Sequence, residues 1–324
     1  MLTDSFGRTH NYLRISVTDR CNLKCVYCMP ELGQLHDMKN KVMSADEIFE
    51  IASVFSELGI NKIRITGGEP FVRKDIDDIF CKLSKLPVEL AVSTNAVLID
   101  RHIDVLKSCN VNNINISLDT LDPDEFLAIT KSNNLEKILI NINLLLENDF
   151  NVKINFVVMK GVNEDAVNEI AGLTKDYKAE VRFIEFMPFS GNNWTREKVF
   201  SHDEILNKII NEYEIFKLPD EIHDTSKKYG ITGHAGVIGI ISTITKPFCD
   251  GCNRLRLTAD GKIKNCLFSK GETDILSTFR KGDDIIPMII SDLKLKFAER
   301  GGQFDGEEFD AKDFENRSMI SIGG

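Results

Sequence analysis

Six of the eight cysteines fall into two sets of three. Cys21, Cys25 and Cys28 are spaced C-x3-C-x2-C, and Cys249, Cys252 and Cys266 are spaced C-x2-C-x13-C. Thiolates are soft ligands, so grouped cysteines point to zinc or iron–sulfur chemistry. A structural zinc site wants four ligands, whereas each set offers three. A four-iron, four-sulfur cluster on three cysteines leaves one iron without a protein ligand, open to a small molecule. A count of three, occurring twice, favours two open clusters of this kind. The alternative for the first set is a zinc loop completed by His10 or His36, and zinc is a stronger competitor for the second. Cys81, in DIDDIFCKLSKL, and Cys109, in HIDVLKSC, lie apart on helical patterns and read as inert, half-buried thiols.

The rest of the composition narrows the setting. A chain of 324 residues that is 42% hydrophobic and 28% charged is ordinary globular protein. At roughly 150 residues per domain it suggests about two domains. With 50 acidic against 40 basic side chains the formal charge is −10, which argues against a generic nucleic-acid binder. A local cluster of arginine and lysine can still serve an anion. No uncharged apolar run approaches the ~18 residues of a membrane span, and MLTDSFGRTHNY has no apolar signal-peptide core. The expectation is a cytoplasmic protein with no membrane partner, where cysteines serve metals or catalysis rather than disulfides. There is no G-x-x-x-x-G-K-[ST], no H-E-x-x-H, and no G-x-G-x-x-G after a strand.

These residues must be positioned by a scaffold, and its rhythm is strand, helix, strand, helix. Strand patterns occupy 11–18, 61–66, 88–94, 112–118, 151–158 and 180–186. Helical patterns occupy 44–59, 73–86, 100–109, 123–148 (in two pieces) and 164–178. Ser44 with Glu47 predicts a capping box at the first helix, and Gly59 marks its end. Six such units imply a parallel sheet with right-handed crossovers. Six are too few to close an eight-stranded barrel, so the fold class is α/β, an incomplete (β/α)6 TIM-like barrel, with a doubly wound sheet as runner-up. After residue 218 the rhythm changes to short strands at 228–245 and 254–265, with an Asp260-Gly261 hairpin signal, then helices near 273–281 and 283–298. The division is therefore 1–218 and a smaller C-terminal α+β domain, 219–324, closing the open side.

Alternation along the strands separates two faces. Leu13, Ile15 and Val17 oppose Arg14, Ser16 and Thr18. Ile63 and Ile65 oppose Lys62, Arg64 and Thr66. Ile114, Ile116 and Leu118 oppose Asn115, Ser117 and Asp119, and Val152, Ile154 and Phe156 oppose Lys153 and Asn155. A parallel sheet covered on both faces would read as continuous apolar runs. One face therefore meets water or a polar ligand. If helices cover the apolar face, Arg14, Arg64 and Lys153 enter one cavity, with Arg254 and Arg256 added from beside Cys252. That is a site for a polyanion; a merely solvated face is the alternative. Cys21, Cys25 and Cys28 follow the first strand and Gly67-Gly68-Glu69-Pro70 follows the second, both at carboxyl ends where such folds bind ligands. The glycines there would let backbone approach a ligand closely.

C-x3-C-x2-C with Tyr27 between its last two cysteines, followed by Gly-Gly-Glu-Pro after the next strand, resembles the radical S-adenosylmethionine enzymes. RISVTDRCNLKCVYCMP, KIRITGGEP, RFIEFMP, FCDGCNRLRLTADGKIKNCLF and the terminal Gly323-Gly324 resemble its GTP 3′,8-cyclase family, of molybdenum cofactor biosynthesis, over nearly the whole chain. The resemblance implies two [4Fe-4S] clusters, on Cys21, Cys25 and Cys28 and on Cys249, Cys252 and Cys266. It implies that the first reductively cleaves S-adenosylmethionine, that the resulting 5′-deoxyadenosyl radical takes the 3′ hydrogen of GTP, and that C3′ closes onto C8. The second cluster would bind the guanine. Tyr27, Gly68, Ser117 and Met187 would contact S-adenosylmethionine; Arg14, Arg64, Thr94, Lys153, Arg254 and Arg256 would contact GTP, with Arg14, Arg254 and Arg256 the catalytic residues. The tail Gly323-Gly324, a frayed end by sequence alone, would reach the active site. Ala96 stands where many members have glycine. Implied partners are a reductase or flavodoxin-type electron donor and cyclic pyranopterin monophosphate synthase, which receives the product; monomer and homodimer both remain open. The competing readings are another radical enzyme with an auxiliary cluster and a zinc-stabilised interaction module.

Overall fold

The computed structural model describes residues 1–28, 42–304 and 314–323. His36 and Gly324 lie outside the described residues. A short antiparallel pair, β1 (Leu2–Thr3) and β2 (Thr9–His10), precedes the main sheet. The repeating units are β3 (Tyr12–Ser16), α1 (Ala45–Glu57), β4 (Lys62–Thr66), α2 (Ile76–Leu83), β5 (Glu89–Thr94), α3 (Ile103–Ser108) and β6 (Asn113–Ser117). They continue through α4 (Pro123–Thr130), α5 (Leu135–Glu147), β7 (Asn151–Val158), α6 (Val167–Gly172), β8 (Glu180–Glu185) and α7 (His202–Ile210). All six expected strands and the split of 123–148 into two helices are present. The capping box at α1 forms, with Glu47 N donating to Ser44 Oγ at 3.2 Å and Ser44 N donating to Glu47 Oε2 at 2.7 Å. A second box, Ser201 with Glu204, starts α7, which the sequence reading did not anticipate.

The later strands are β9 (Ile215–Lys217), β10 (Lys227–Ile231), β11 (Val237–Ile241), β12 (Arg254–Leu257), β13 (Lys262–Lys264) and β14 (Thr273–Asp274). They are followed by α8 (Leu276–Arg280), α9 (Ile286–Lys294) and α10 (Met319–Ile322). These strands join the main sheet at both ends, in the order β14-β13-β12-β3-β4-β5-β6-β7-β8-β11-β10-β9. β12 pairs parallel with β3 and β11 pairs parallel with β8. The sheet of the partial barrel thus continues directly into the C-terminal strands on both flanks.

The apolar face drives the assembly. Leu13, Ile15, Ile63, Ile65, Val92, Ile114, Ile154 and Phe156 share one core with Ile48, Ile51 and Phe55 of α1 and Ile79 and Phe80 of α2. All are fully buried, and each such side chain contributes about 1.5–3 kcal/mol relative to exposure. The opposite face carries the polar residues, and α1 and α2 pack on the apolar side.

Candidate active site

The register lines up the arginines. Arg256 of β12 lies beside Arg14 of β3, and Arg14 lies beside Arg64 of β4, forming one row across three adjacent parallel strands. Arg254 lies beside Tyr12 in the neighbouring row. Strands about 4.8 Å apart bring these guanidinium groups into mutual range. Among the described residues, none of the four has a carboxylate within ion-pair distance. The Arg64 guanidinium donates to the Tyr12 hydroxyl and to Val92 O at 3.1 Å, and Arg254 donates to His223 O at 2.8 Å. Arg14 Nε is buried with no hydrogen-bond partner. Burial and then Arg256 hold the Arg14 guanidinium well below its ordinary pKa. Burial likewise brings Arg256 down to about 10. Stacked, desolvated like charges are unfavourable unless an anion is to join them. Tyr12, in the same group, is brought down to about 8: burial would raise it, but Arg64 and Arg14 outweigh burial.

The first cysteine set sits at the carboxyl end of β3. Its backbone is held by the Gly67-Gly68-Glu69 turn, where Gly68 N donates to Thr18 O and Glu69 N donates to Arg20 O, each at 2.8 Å. A Cβ on Gly68 would lie 2.5 Å from Arg20 O. The close approach that requires glycine is therefore to the cysteine loop itself. Glu69, fully buried, accepts from Asn95 N at 2.7 Å, Thr94 Oγ1 at 2.8 Å and Phe71 N at 3.1 Å. Burial pushes its carboxyl up to about 7 against those donors. Asn95 Nδ2 in turn donates to Asn22 at 2.8 Å and lies 3.7 Å from Cys21 Sγ. Tyr27 donates to Asp119 Oδ2 at 2.7 Å. Burial raises the Cys21 thiol to about 11 and, with Cys21 and Asp119 nearby, the Cys28 thiol to about 12.

The second set lies at the opposite end of the same strands. Cys252 precedes β12 and Cys266 follows β13, which runs antiparallel to it, so both flank the amino end of β12. The arginine row runs between the two sets. Five residues of β3 span about 13 Å at roughly 3.3 Å per residue. Burial raises Cys249, whereas Cys252 is lowered, because Lys296, Arg254 and Arg8 outweigh its burial. In each set the thiols disfavour one another's ionisation. Among the described residues, no three His, Cys, Asp or Glu side chains converge as they would on a single ion.

The tail links the two ends. Ile320 of α10 packs against Gly68, and Gly323 lies over Ser16 and Thr66. Arg256 Nη1 donates to Gly323 O at 2.8 Å. Met187 packs with Ile322, Met319 and Cys266 in a small apolar cluster. Ser117 is exposed at the end of β6. Two expected residues stand apart from the arginine row. Lys153 is 2.7 Å from Glu180 Oε2, and Glu180 also accepts from Arg182 Nε at 2.8 Å. Thr94 is 4% exposed, on the face of Val92, with its hydroxyl given to Glu69. Arg182 and Tyr12 were not singled out from the sequence, and Asp119 was placed on the polar face without a role. Alternation along EVRFIEF already places Arg182 on the polar face, and that along NYLRISVT places Tyr12 with Arg14. Cys81 and Cys109 are not isolated from one another: Cys81 is exposed, Cys109 is buried, and their sulfurs are 3.3 Å apart.

The family model described as the Radical SAM superfamily matches residues 15–174, and that described as Molybdenum Cofactor Synthesis C matches residues 179–300. The chain is 41% identical over its whole length to GTP 3′,8-cyclase of Peptoclostridium acidaminophilum, covering 98% of that protein. It is also 41% identical over its whole length to the mitochondrial GTP 3′,8-cyclase of Arabidopsis thaliana, covering 84% of it. It is 40% identical over 99% of its length to molybdenum cofactor biosynthesis protein 1 of Homo sapiens, of which it spans 51%. Among solved structures, Streptococcus suis SuiB bound to S-adenosylmethionine shares the fold, with a TM-score of 0.64 at 14% identity over 96% of this chain and 73% of that one. Full-length identity and the two matched models together establish that the chain belongs to the GTP 3′,8-cyclase family of radical S-adenosylmethionine proteins.

Proposed function

We infer that the protein converts GTP to (8S)-3′,8-cyclo-7,8-dihydroguanosine 5′-triphosphate, the first step of molybdenum cofactor biosynthesis. The observation that carries this reading is the uncompensated row of Arg256, Arg14 and Arg64 between two three-thiol sets. Cys21, Cys25 and Cys28 fit a four-iron cluster: three soft donors on one loop, near enough to disfavour one another's ionisation. Cys249, Cys252 and Cys266 fit a second by the same donor chemistry. With S-adenosylmethionine, the first cluster supplies one-electron cleavage and a 5′-deoxyadenosyl radical.

The chain's own residues bind and orient. Tyr27, Gly68, Ser117 and Met187 surround the S-adenosylmethionine position. Arg14, Arg64, Arg254 and Arg256 take the triphosphate charge, with Thr94 and Lys153 at the margins of the GTP site. Each charge-assisted hydrogen bond to phosphate stabilises by about 1.5–3 kcal/mol. Met187 and the α10 tail exclude water from a site where a carbon radical must meet only its substrate. Overall GTP loses one hydrogen atom and regains an electron and a proton, so product and substrate are isomers. A reductase or flavodoxin-type protein supplies electrons, and cyclic pyranopterin monophosphate synthase takes the product. Among the described residues no helix is long and apolar enough to cross a membrane, and we place the enzyme in the cytoplasm.

Anaerobic incubation with dithionite, S-adenosylmethionine and GTP tests this. The expected result is 5′-deoxyadenosine together with a chromatographically distinct isomer of GTP. 5′-Deoxyadenosine formed beside unchanged GTP would defeat the substrate assignment.

A further inference from the structure

Two cations hold the second cysteine set by its backbone. Lys296, 4% exposed, follows α9 and donates its ammonium to Arg254 O at 3.3 Å and to Asn265 O. Those carbonyls belong to different segments, two residues after Cys252 and one before Cys266. Arg8, on the turn between β1 and β2, donates Nη1 to Cys249 O at 2.9 Å and to Ala298 O at 2.7 Å, and Nη2 to Phe297 O at 2.9 Å. All three cysteine-bearing segments are thus tied through carbonyl oxygens to a cation, Lys296 buried and Arg8 half-buried.

The two cations differ in compensation. Arg8 is neutralised by Asp4 at 2.6 Å. Among the described residues Lys296 has no carboxylate within ion-pair distance. Asp292, one helical turn earlier, accepts from Thr273 Oγ1 at 2.7 Å and feels Lys296 from beyond that distance. His10, which also feels Lys296, is held neutral near pH 7. Glu299 lies on the Cys249 side. Among the described residues, the first set has carboxylates beside it: Glu69 acts on the Cys21 thiol and Asp119 on those of Cys25 and Cys28. A full positive charge beside a thiolate-held cluster favours its more negative, reduced form, and carboxylates oppose reduction.

We propose that Lys296 is a positioning residue for the second three-thiol set, joining its two halves and raising the reduction potential of the cluster held there. The proposal rests on the reading that Cys249, Cys252 and Cys266 hold a cluster.

The test uses the full chain with Cys21, Cys25 and Cys28 changed to alanine, reconstituted anaerobically, so that only the second cluster gives a paramagnetic signal. Lys296→Met and Lys296→Arg are compared by iron and sulfide content and by potential-poised electron paramagnetic resonance. With Lys296→Met, either iron is lost or, at fixed poise, the reduced-to-oxidised ratio falls about tenfold, equivalent to about 59 mV for one electron. Lys296→Arg restores most of the iron and the ratio. Equal iron and an unchanged ratio in Lys296→Met would overturn the proposal and leave the second cluster standing. No iron in the starting variant would overturn both. Should Lys296→Met not fold by circular dichroism, the Lys296→Gln variant gives the same readout.

Discussion

Arg256 and Gly323 meet across the polar face of the sheet, with Arg256 Nη1 donating to the Gly323 carbonyl at 2.8 Å. The penultimate residue of the chain is thereby seated over Ser16 and Thr66, at φ 84°, a conformation open to glycine. A Cβ there would lie 2.8 Å from Thr66 and 3.0 Å from Ser16. Gly323→Val should lift the tail from the strands. Product formation should fall at least tenfold, while the thermal midpoint changes little, because the tail adds little to the main core. A thermal melt beside a chromatographic product assay checks both halves.

The arginine row makes opposite demands on the empty and the occupied protein. Arg14→Met removes a desolvated charge flanked by two others. Urea unfolding of the ligand-free variant should show equal or greater stability than the parent. Its affinity for GTP should fall roughly 10- to 150-fold, the equivalent of ~1.5–3 kcal/mol. S-Adenosylmethionine affinity should stay as it was. Equal loss of stability and of GTP binding would mean that Arg14 serves the fold.

Gly68→Ala attacks the first cysteine loop through its support. The new methyl would sit against Arg20 O, which is backbone and cannot rotate away. Overpacking of this kind costs about 1–3 kcal/mol. Reconstituted protein should hold roughly half the parent's iron, the loss confined to the first set. A resonance spectrum retaining only the second cluster's signal is the expected reading.

Acid should weaken the N-terminal hairpin in two stages. Burial, then Lys296, bring the His10 imidazole down from 6.5 to about 4. Unfolding therefore takes up a proton between these values, and the His10 contribution, complete above pH 6.5, is lost as pH falls to about 4. For Asp4, burial would raise the carboxyl, but donors from His10 and Arg8 bring it from 3.8 to about 2. Its contribution is complete above pH 3.8 and is lost towards pH 2. In urea titrations across this range, His10→Gln should abolish the upper stage and leave a lower stage that rests on the Arg8 donors to Asp4.

The two remaining thiols should pair under oxidation. Cys81 and Cys109 sulfurs are 3.3 Å apart, and a bond of about 2.05 Å needs only a small approach of α2 towards the end of α3. Hydrogen bonding to Cys109 raises the Cys81 thiol, so reaction with oxidised glutathione should be slow at neutral pH. Mass analysis after alkylation should find one intramolecular disulfide, absent in Cys81→Ser, with iron content unaffected.

Period-two alternation was enough to place Arg14, Arg64 and Arg256 on one face, because a one-residue shift would have buried their charges among Ile15, Ile65 and Leu257. Capping chemistry at Ser44 located α1 for a similarly local reason. Which edge β12 would join could not be read, since parallel pairing of residues 254–257 with residues 12–15 is a relation between distant segments. The same limit hid Lys296, one of two lysines in the stretch SDLKLK, whose partners lie on two other segments. It also hid the facing of Cys81 and Cys109, each on a different helix. Arg182 was readable by alternation; its pairing with Glu180, two positions away on the same face, was not.

β3 is among the first strands to be synthesised, yet its outer neighbour β12 is among the last. A nascent chain emerging from the ribosome therefore carries a bare row of backbone donors and acceptors along β3 until residue 257 is free to dock. Unpaired edges of this sort template pairing with other chains. The interval between residues 16 and 254 is the period in which a newly made copy is open to such pairing, and slower growth or a lower temperature should improve recovery of usable material.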